Sequence, residues 1–117
     1  MTTETQEQTQ GQIQNQIQSH VTDNPIFLYL KGTPEAPACG FSHEVVMALS
    51  QLDAKYGSFN VLENNDVRQG IKEFADWPFI PQLYIDGKFI GGRDIVMELY
   101  KKGELKDLVA NAQQKPH

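Results

Sequence analysis

The chain has a single cysteine, Cys39. It follows the run Lys31-Gly32-Thr33-Pro34-Glu35-Ala36-Pro37-Ala38, a loop by its Gly and Pro content. It precedes a segment in which Val45, Val46, Leu49 and Leu52 recur at helical spacing. A thiol where a loop meets a helix start has its thiolate stabilised by the helix dipole and by free backbone N–H groups. The chemistry open to it is nucleophilic attack on sulfur or soft-metal ligation. Lys31, ahead of it, adds positive charge. The competing assignment for a lone cysteine is a small buried apolar residue; the prolines and small residues before Cys39 favour an exposed loop. With one thiol an internal disulfide is impossible, so any disulfide is made with another molecule, and a reducing compartment fits.

The other polar candidates have plain alternatives. Arg68 and Lys72, at i and i+4, read by themselves as a solvated helix face. Asp94, after Gly91-Gly92-Arg93, reads by itself as a helix cap. His20, His43 and His117 are scattered. His43 stands near Cys39 in sequence, but a lone surface histidine on a helix is ordinarily a solvated residue.

The elements that must position these residues follow from periodicity. Ile13, Ile17 and Val21 recur every four residues and form a one-sided helix stripe, ended at Asp23-Asn24-Pro25. The run 26–30 (IFLYL) is a buried strand. A helix is expected from Gly40 to Ala54, a strand from Tyr56 to Leu62, and a helix capped by Asp66 running to Ala75. Trp77-Pro78-Phe79-Ile80-Pro81 is a proline-punctuated turn. Asp86-Gly87 between two apolar runs predicts a β-hairpin over 82–90. A helix with Ile95, Val96, Leu99 and Tyr100 inside ends at Gly103, and a last helix carries Leu105, Leu108 and Val109. Strand, helix and strand make a parallel crossover, to which the hairpin adds antiparallel strands. The expected architecture is a thioredoxin-like α/β domain, a four-stranded mixed sheet flanked by helices.

At 117 residues the chain supports one domain. We expect a flexible N-terminal tail over 1–11, a folded domain over 12–112 and a C-terminal tail over 113–117. A net charge of -5 argues against nucleic-acid or anionic-membrane binding. No apolar run nears the roughly 18 residues of a spanning helix, and the N-terminus lacks the basic flank and apolar core of a signal peptide. A cytoplasmic location is expected.

Cys39-Gly40-Phe41-Ser42 resembles the signature of the monothiol (CGFS-type) glutaredoxins, Ser42 standing where dithiol relatives carry a second cysteine. Lys31-Gly32-Thr33-Pro34, Trp77-Pro78, Ile80-Pro81-Gln82-Leu83 and Gly91-Gly92-x-Asp94 match the same family in order and spacing, from about Ile13 to Ala110. The resemblance implies a glutathione groove built from Lys31, Cys39, Phe41, Arg68, Ile80, Pro81, Arg93 and Asp94. In it Lys31 and Arg68, with Lys72 as a weaker third, neutralise a carboxylate. Pro81 is the family's cis-proline, expected at a sheet edge because it lacks an N–H. The Ile80 backbone pairs with the tripeptide as an added strand does. Backbone N–H groups at the start of the helix after Gly92 receive a second carboxylate, and Asp94 accepts the ammonium. Trp77 supports the wall. The resemblance further implies a [2Fe–2S] cluster with Cys39 as the chain's metal ligand, bridged in a homodimer and completed by two glutathiones. It implies a role in iron–sulfur storage and transfer, with BolA-like and recipient proteins as partners. The alternative is a glutathione-dependent thiol–disulfide oxidoreductase with Cys39 as nucleophile. Two positions depart from the family pattern: Phe79 replaces a common Thr and is expected to crowd the groove rim, and Arg93 replaces a common Cys and adds a cation.

Overall fold

The computed structural model describes residues 9–114. Helix α1 (Gln10–Asp23) opens with a reciprocal cap in which Gln12 N–H donates to Thr9 Oγ1 at 3.1 Å and Thr9 N–H donates to Gln12 Oε1 at 2.9 Å. Gln10 and Gly11 are therefore helical, where the sequence reading placed them in a tail; residues 1–8 lie outside the described residues. The predicted stripe Ile13, Ile17 and Val21 is buried.

Strand β1 (Ile26–Leu30) is buried along its whole length. It lies inside a four-stranded sheet of order β4-β1-β5-β6, with β4 (Gly57–Asn60), β5 (Gln82–Ile85) and β6 (Lys88–Gly91). β1 pairs parallel with β4 and antiparallel with β5, which pairs antiparallel with β6. This is the predicted mixed sheet. Asp86 and Gly87 both adopt positive φ, 54° and 78°, as a two-residue hairpin turn requires.

Because side chains alternate along a strand, β1 feeds two cores. Ile26, Leu28 and Leu30 pack with residues of α2 (Gly40–Gln51), α4 (Arg93–Lys101) and α5 (Glu104–Gln114). Phe27 and Tyr29 pack with α1 and α3 (Asn65–Phe74). Full burial of each such side chain contributes about 1.5–3 kcal/mol. Where α3 packs on α1, a Cβ on Gly70 would lie 2.4 Å from Ile13 Cγ2.

Several predicted boundaries move. α2 stops at Gln51 rather than Ala54, because Asp53 turns left-handed (φ 53°) and Ala54 N–H closes the helix end on Leu49 O at 3.0 Å. β4 stops at Asn60, whose Oδ1 accepts from Leu62 N–H at 3.0 Å and from Gly32 N–H at 2.9 Å, turning the chain into a single 3-10 turn over Val61–Glu63. α3 is capped by Asn64, whose Oδ1 accepts from Val67 N–H at 3.1 Å. Asp66 lies in the first turn, where its charge still complements the helix dipole. α4 ends at Gly103 as predicted, and α5 runs on to Gln114, past the expected end of the domain at 112. Ile95, predicted to face inward, is exposed at 41%.

Candidate functional site

The loop before Cys39 folds on itself. β2 (Gly32–Thr33) and β3 (Ala36–Pro37) form a short antiparallel ribbon that the sequence reading took as plain loop. Ala36 N–H donates to Thr33 Oγ1 and Ala38 N–H donates to Lys31 O, so both ends of the ribbon are tied. The ribbon delivers Cys39 to the N-cap of α2, as the spacing predicts. Its sulfur is half-buried and free.

Ser42 N–H donates to Cys39 Sγ at 3.4 Å. The Ser42 hydroxyl, fully buried, also lies 3.4 Å from the sulfur. Lys31 N–H donates to that same hydroxyl oxygen at 3.1 Å; with a second lone pair and one rotatable proton, the hydroxyl accepts from the thiol and donates to the thiolate. Burial pushes the Cys39 thiol up. The Ser42 hydroxyl, the N–H groups of Ser42 and Phe41, and the Lys31 charge outweigh burial together, so the thiol sits below its ordinary value. Ser42 is thus a donor to the sulfur, a role its standing as the replaced second cysteine did not reveal.

Beside the thiol runs a groove of about 560 Å³. Lys31 and Phe41 line it, and both also act on the sulfur, Lys31 by charge and Phe41 through its N–H. α3 contributes Arg68 and Lys72, the strip 77–81 contributes five consecutive residues, and the start of α4 contributes Gly92, Arg93 and Asp94. Seven of the eight predicted site residues therefore line one groove, and the eighth, Cys39, stands next to it. Lys31, Arg68 and Lys72 have no carboxylate partner within 4.0 Å among the described residues. The groove therefore holds three uncompensated cations.

The Ile80–Pro81 bond is cis, as the resemblance implied. Pro81 does not stand at a sheet edge, however: β5 is an inner strand. Its missing N–H is tolerated because the ladder with β1 ends at the pair Tyr29 and Gln82, one residue later. A Cβ on Gly92 would lie 3.1 Å from Trp77 Nε1 and 3.3 Å from Pro81 O, so glycine permits this close approach. Trp77 lines the groove, as expected of a wall residue, and its Nε1 is buried without a hydrogen-bond partner among the described residues. Phe79 is 63% exposed and rests edge-on against Trp77, with ring centroids 5.6 Å apart.

Arg93 lines the groove, as expected, but its charge is already paired. Its Nε and Nη2 donate to the two carboxylate oxygens of Glu44 at 3.1 and 2.8 Å, and its Nη1 donates to Asp94 Oδ1 at 2.7 Å. Its guanidinium carbon lies 5.5 Å from the Phe41 ring centroid. Most of its charge is thereby neutralised within the protein. Glu44, which had no sequence signal beyond its place on α2, anchors this corner. Gln82 is legible in the sequence only as part of the Ile80-Pro81-Gln82-Leu83 match, with no role assigned to it. It is fully buried, and its Nε2 donates to Trp77 O and Phe79 O.

The Glutaredoxin family profile matches residues 26–90 of this chain. Among curated proteins, the chain is 52% identical over 88 residues to monothiol glutaredoxin-S11 of Oryza sativa subsp. japonica, covering 75% of this chain. It spans only 18% of that relative's length. It is 48% identical over 95 residues to glutaredoxin 4 of Buchnera aphidicola, covering 81% of this chain and 88% of the relative. Among solved structures it superposes on the solution structure of reduced apo GrxS14 from poplar with TM-score 0.78 at 46% identity, over 90% of this chain and 96% of that one. With one thiol at a helix N-cap, Ser42 four positions into the motif and a cis-proline beside the groove, the chain belongs to the glutaredoxin family, in its monothiol branch.

Proposed function

We propose that this protein binds glutathione in the groove beside Cys39 and carries a [2Fe–2S] cluster between two copies of itself, serving iron–sulfur storage and transfer. The observation that carries the reading is a thiol held below its ordinary pKa, beside a groove with three uncompensated cations, in a chain that has no second thiol. Glutathione has two carboxylates, one ammonium and an extended backbone. Lys31 and Arg68 suit one carboxylate, with Lys72 near; the backbone N–H groups at the start of α4 suit the other. Ile80 makes no backbone hydrogen bond among the described residues, which leaves its N–H and C=O available for a strand-like pairing.

The donor set suits a shared cluster. Such clusters take four thiolates as a rule. Each chain supplies Cys39, and glutathione supplies the remainder. Phe41, Phe79 and Ile95 are 57%, 63% and 41% exposed on groove-lining residues, apolar surface of the kind a two-fold interface covers. Cargo held in part by exchangeable small molecules is readily passed on, to BolA-like and recipient proteins in a reducing cytoplasm.

The low thiol pKa also supports a second reading, reduction of protein–glutathione disulfides. There the Cys39 thiolate attacks the glutathione sulfur, the S–S bond breaks, and the protein thiolate leaves. A second glutathione thiolate then attacks the Cys39–glutathione disulfide, releasing glutathione disulfide and restoring the Cys39 thiolate. Anaerobic reconstitution with iron, sulfide and glutathione separates the two. The cluster reading expects coloured dimers that require both glutathione and Cys39. Colourless monomers with rapid mixed-disulfide turnover would overturn it in favour of the enzyme, and a cluster formed equally well without glutathione would refute the ligand set.

A further inference from the structure

The strip 77–81 has no secondary structure of its own, yet it forms a continuous wall of the groove. Two of its residues, Pro78 and Pro81, lack an N–H, so it has few donors with which to tie itself down. Trp77 N–H donates to Lys72 O at 2.9 Å; beyond that, the strip's carbonyls are held by one side chain in the sheet. Gln82 Nε2 donates to Trp77 O at 3.0 Å and to Phe79 O at 3.4 Å. Gln82 Oε1 accepts from the Tyr84 hydroxyl at 2.9 Å. The amide can face only one way: carbonyl oxygens only accept, so the NH₂ must meet the strip and the oxygen must meet the hydroxyl. Gln82 and Tyr84 are two residues apart on β5, so they share a face, and both are buried, at 0% and 1% exposure. A buried amide with all partners in place is a stiff device; the same amide with one partner removed is free to turn.

We infer that Gln82, oriented by Tyr84, is a positioning residue for ligand binding: it sets the curve of the 77–81 strip and thereby the place of the Ile80 edge along which an extended tripeptide lies. This rests on the glutathione reading of the groove. Gln82 itself lines neither the groove nor the thiol, so its effect falls on ligand affinity and leaves the sulfur unchanged.

The test uses the full chain with Gln82→Leu, which removes both bonds to the strip, and Tyr84→Phe, which keeps the amide but removes its orienting hydroxyl. Four quantities are measured: the Kd for glutathione by isothermal titration calorimetry, expected to move with KM; KM and kcat with a glutathione mixed disulfide of a small thiol; the pH profile of Cys39 alkylation; and the near-ultraviolet circular dichroism of Trp77, the chain's one tryptophan. Loss of one or two hydrogen bonds in a low-dielectric site predicts a rise in KM of about five- to tenfold, with kcat and the alkylation midpoint unchanged and a weaker tryptophan band. Unchanged KM and an unchanged band in both variants would overturn the inference, as would a shifted alkylation midpoint with KM intact. If Gln82→Leu fails to fold, Tyr84→Phe carries the same comparison. If the wild-type protein shows no turnover and no glutathione binding, the glutathione reading fails. The tryptophan band then still decides whether Gln82 holds the strip.

Discussion

The Ser42 hydroxyl and the Cys39 sulfur lie 3.4 Å apart, and the N–H of Lys31 donates to the same hydroxyl oxygen from behind. The hydroxyl accepts from the thiol and donates to the thiolate, and the bond to the charged sulfur is the stronger, so it favours the thiolate over the thiol. Ser42→Ala removes this donor. The Cys39 pKa then rises, and alkylation by iodoacetamide at neutral pH slows. The substitution also leaves the Lys31 N–H without its acceptor, at a cost of about 1–3 kcal/mol, readable as a lower urea midpoint. An alkylation profile unmoved by Ser42→Ala would show that the helix start and Lys31 suffice.

A thiol depressed in the folded state also makes the reduced protein pH-sensitive. The unfolded chain binds the proton more tightly, so this contribution to stability is full above the ordinary thiol range and is lost as pH falls through the folded midpoint. Cys39→Ser should flatten stability between the folded midpoint and the ordinary thiol range, as measured by urea unfolding at several pH values.

His20 works in the opposite range. Its ring lies against Phe27 with centroids 4.9 Å apart, and its Nδ1 lies 2.8 Å from the Tyr29 hydroxyl. Burial lowers its pKa, and Asp23 offsets only part of that. The unfolded chain therefore takes up the proton first. The contribution is full above the ordinary histidine value of about 6.5 and is lost as pH falls below it. His20→Gln keeps a polar partner for Tyr29 without titrating. Its urea midpoint should change less than wild type between pH 7 and pH 5; an equal change would assign the acid sensitivity elsewhere.

Arg68 has no carboxylate partner among the described residues, whereas Arg93 is held by Glu44 and Asp94. The two arginines should therefore respond differently to loss. Arg68→Gln removes one charge-assisted bond, about 1.5–3 kcal/mol, and should raise KM for glutathione substrates roughly tenfold or more. That effect should shrink in high salt. Equal KM for Arg68→Gln and wild type at low salt would remove Arg68 from the groove's binding set.

Gly70 tests whether α1 is part of the fold. A Cβ there meets Ile13 Cγ2 at 2.4 Å and Ile17 Cδ1 at 3.0 Å, so either the stiff Ile13 side chain or one of the helices must shift. Gly70→Ala should destabilise by about 1–3 kcal/mol through overpacking, despite alanine's better helix propensity. A stabilised variant would mean that α1 packs loosely.

Much of this protein is determined by residues acting on near neighbours. The Asp86-Gly87 turn, the stripe of Ile13, Ile17 and Val21, the stop at Gly103 and the placing of Cys39 at a helix start all follow from local backbone preferences and side-chain spacing, which a sequence displays directly. The tertiary structure decided what depends on partners distant in the chain. It sent Arg93 to Glu44, 49 residues away, and ended β4 at Asn60 by offering it the N–H of Gly32. It also buried Ser42 and Gln82 where their hydrogen bonds act on the sulfur and on the groove wall. Polar side chains carry no periodic signal of burial. Which donor they satisfy is settled only when packing brings the elements together and leaves no water to take its place.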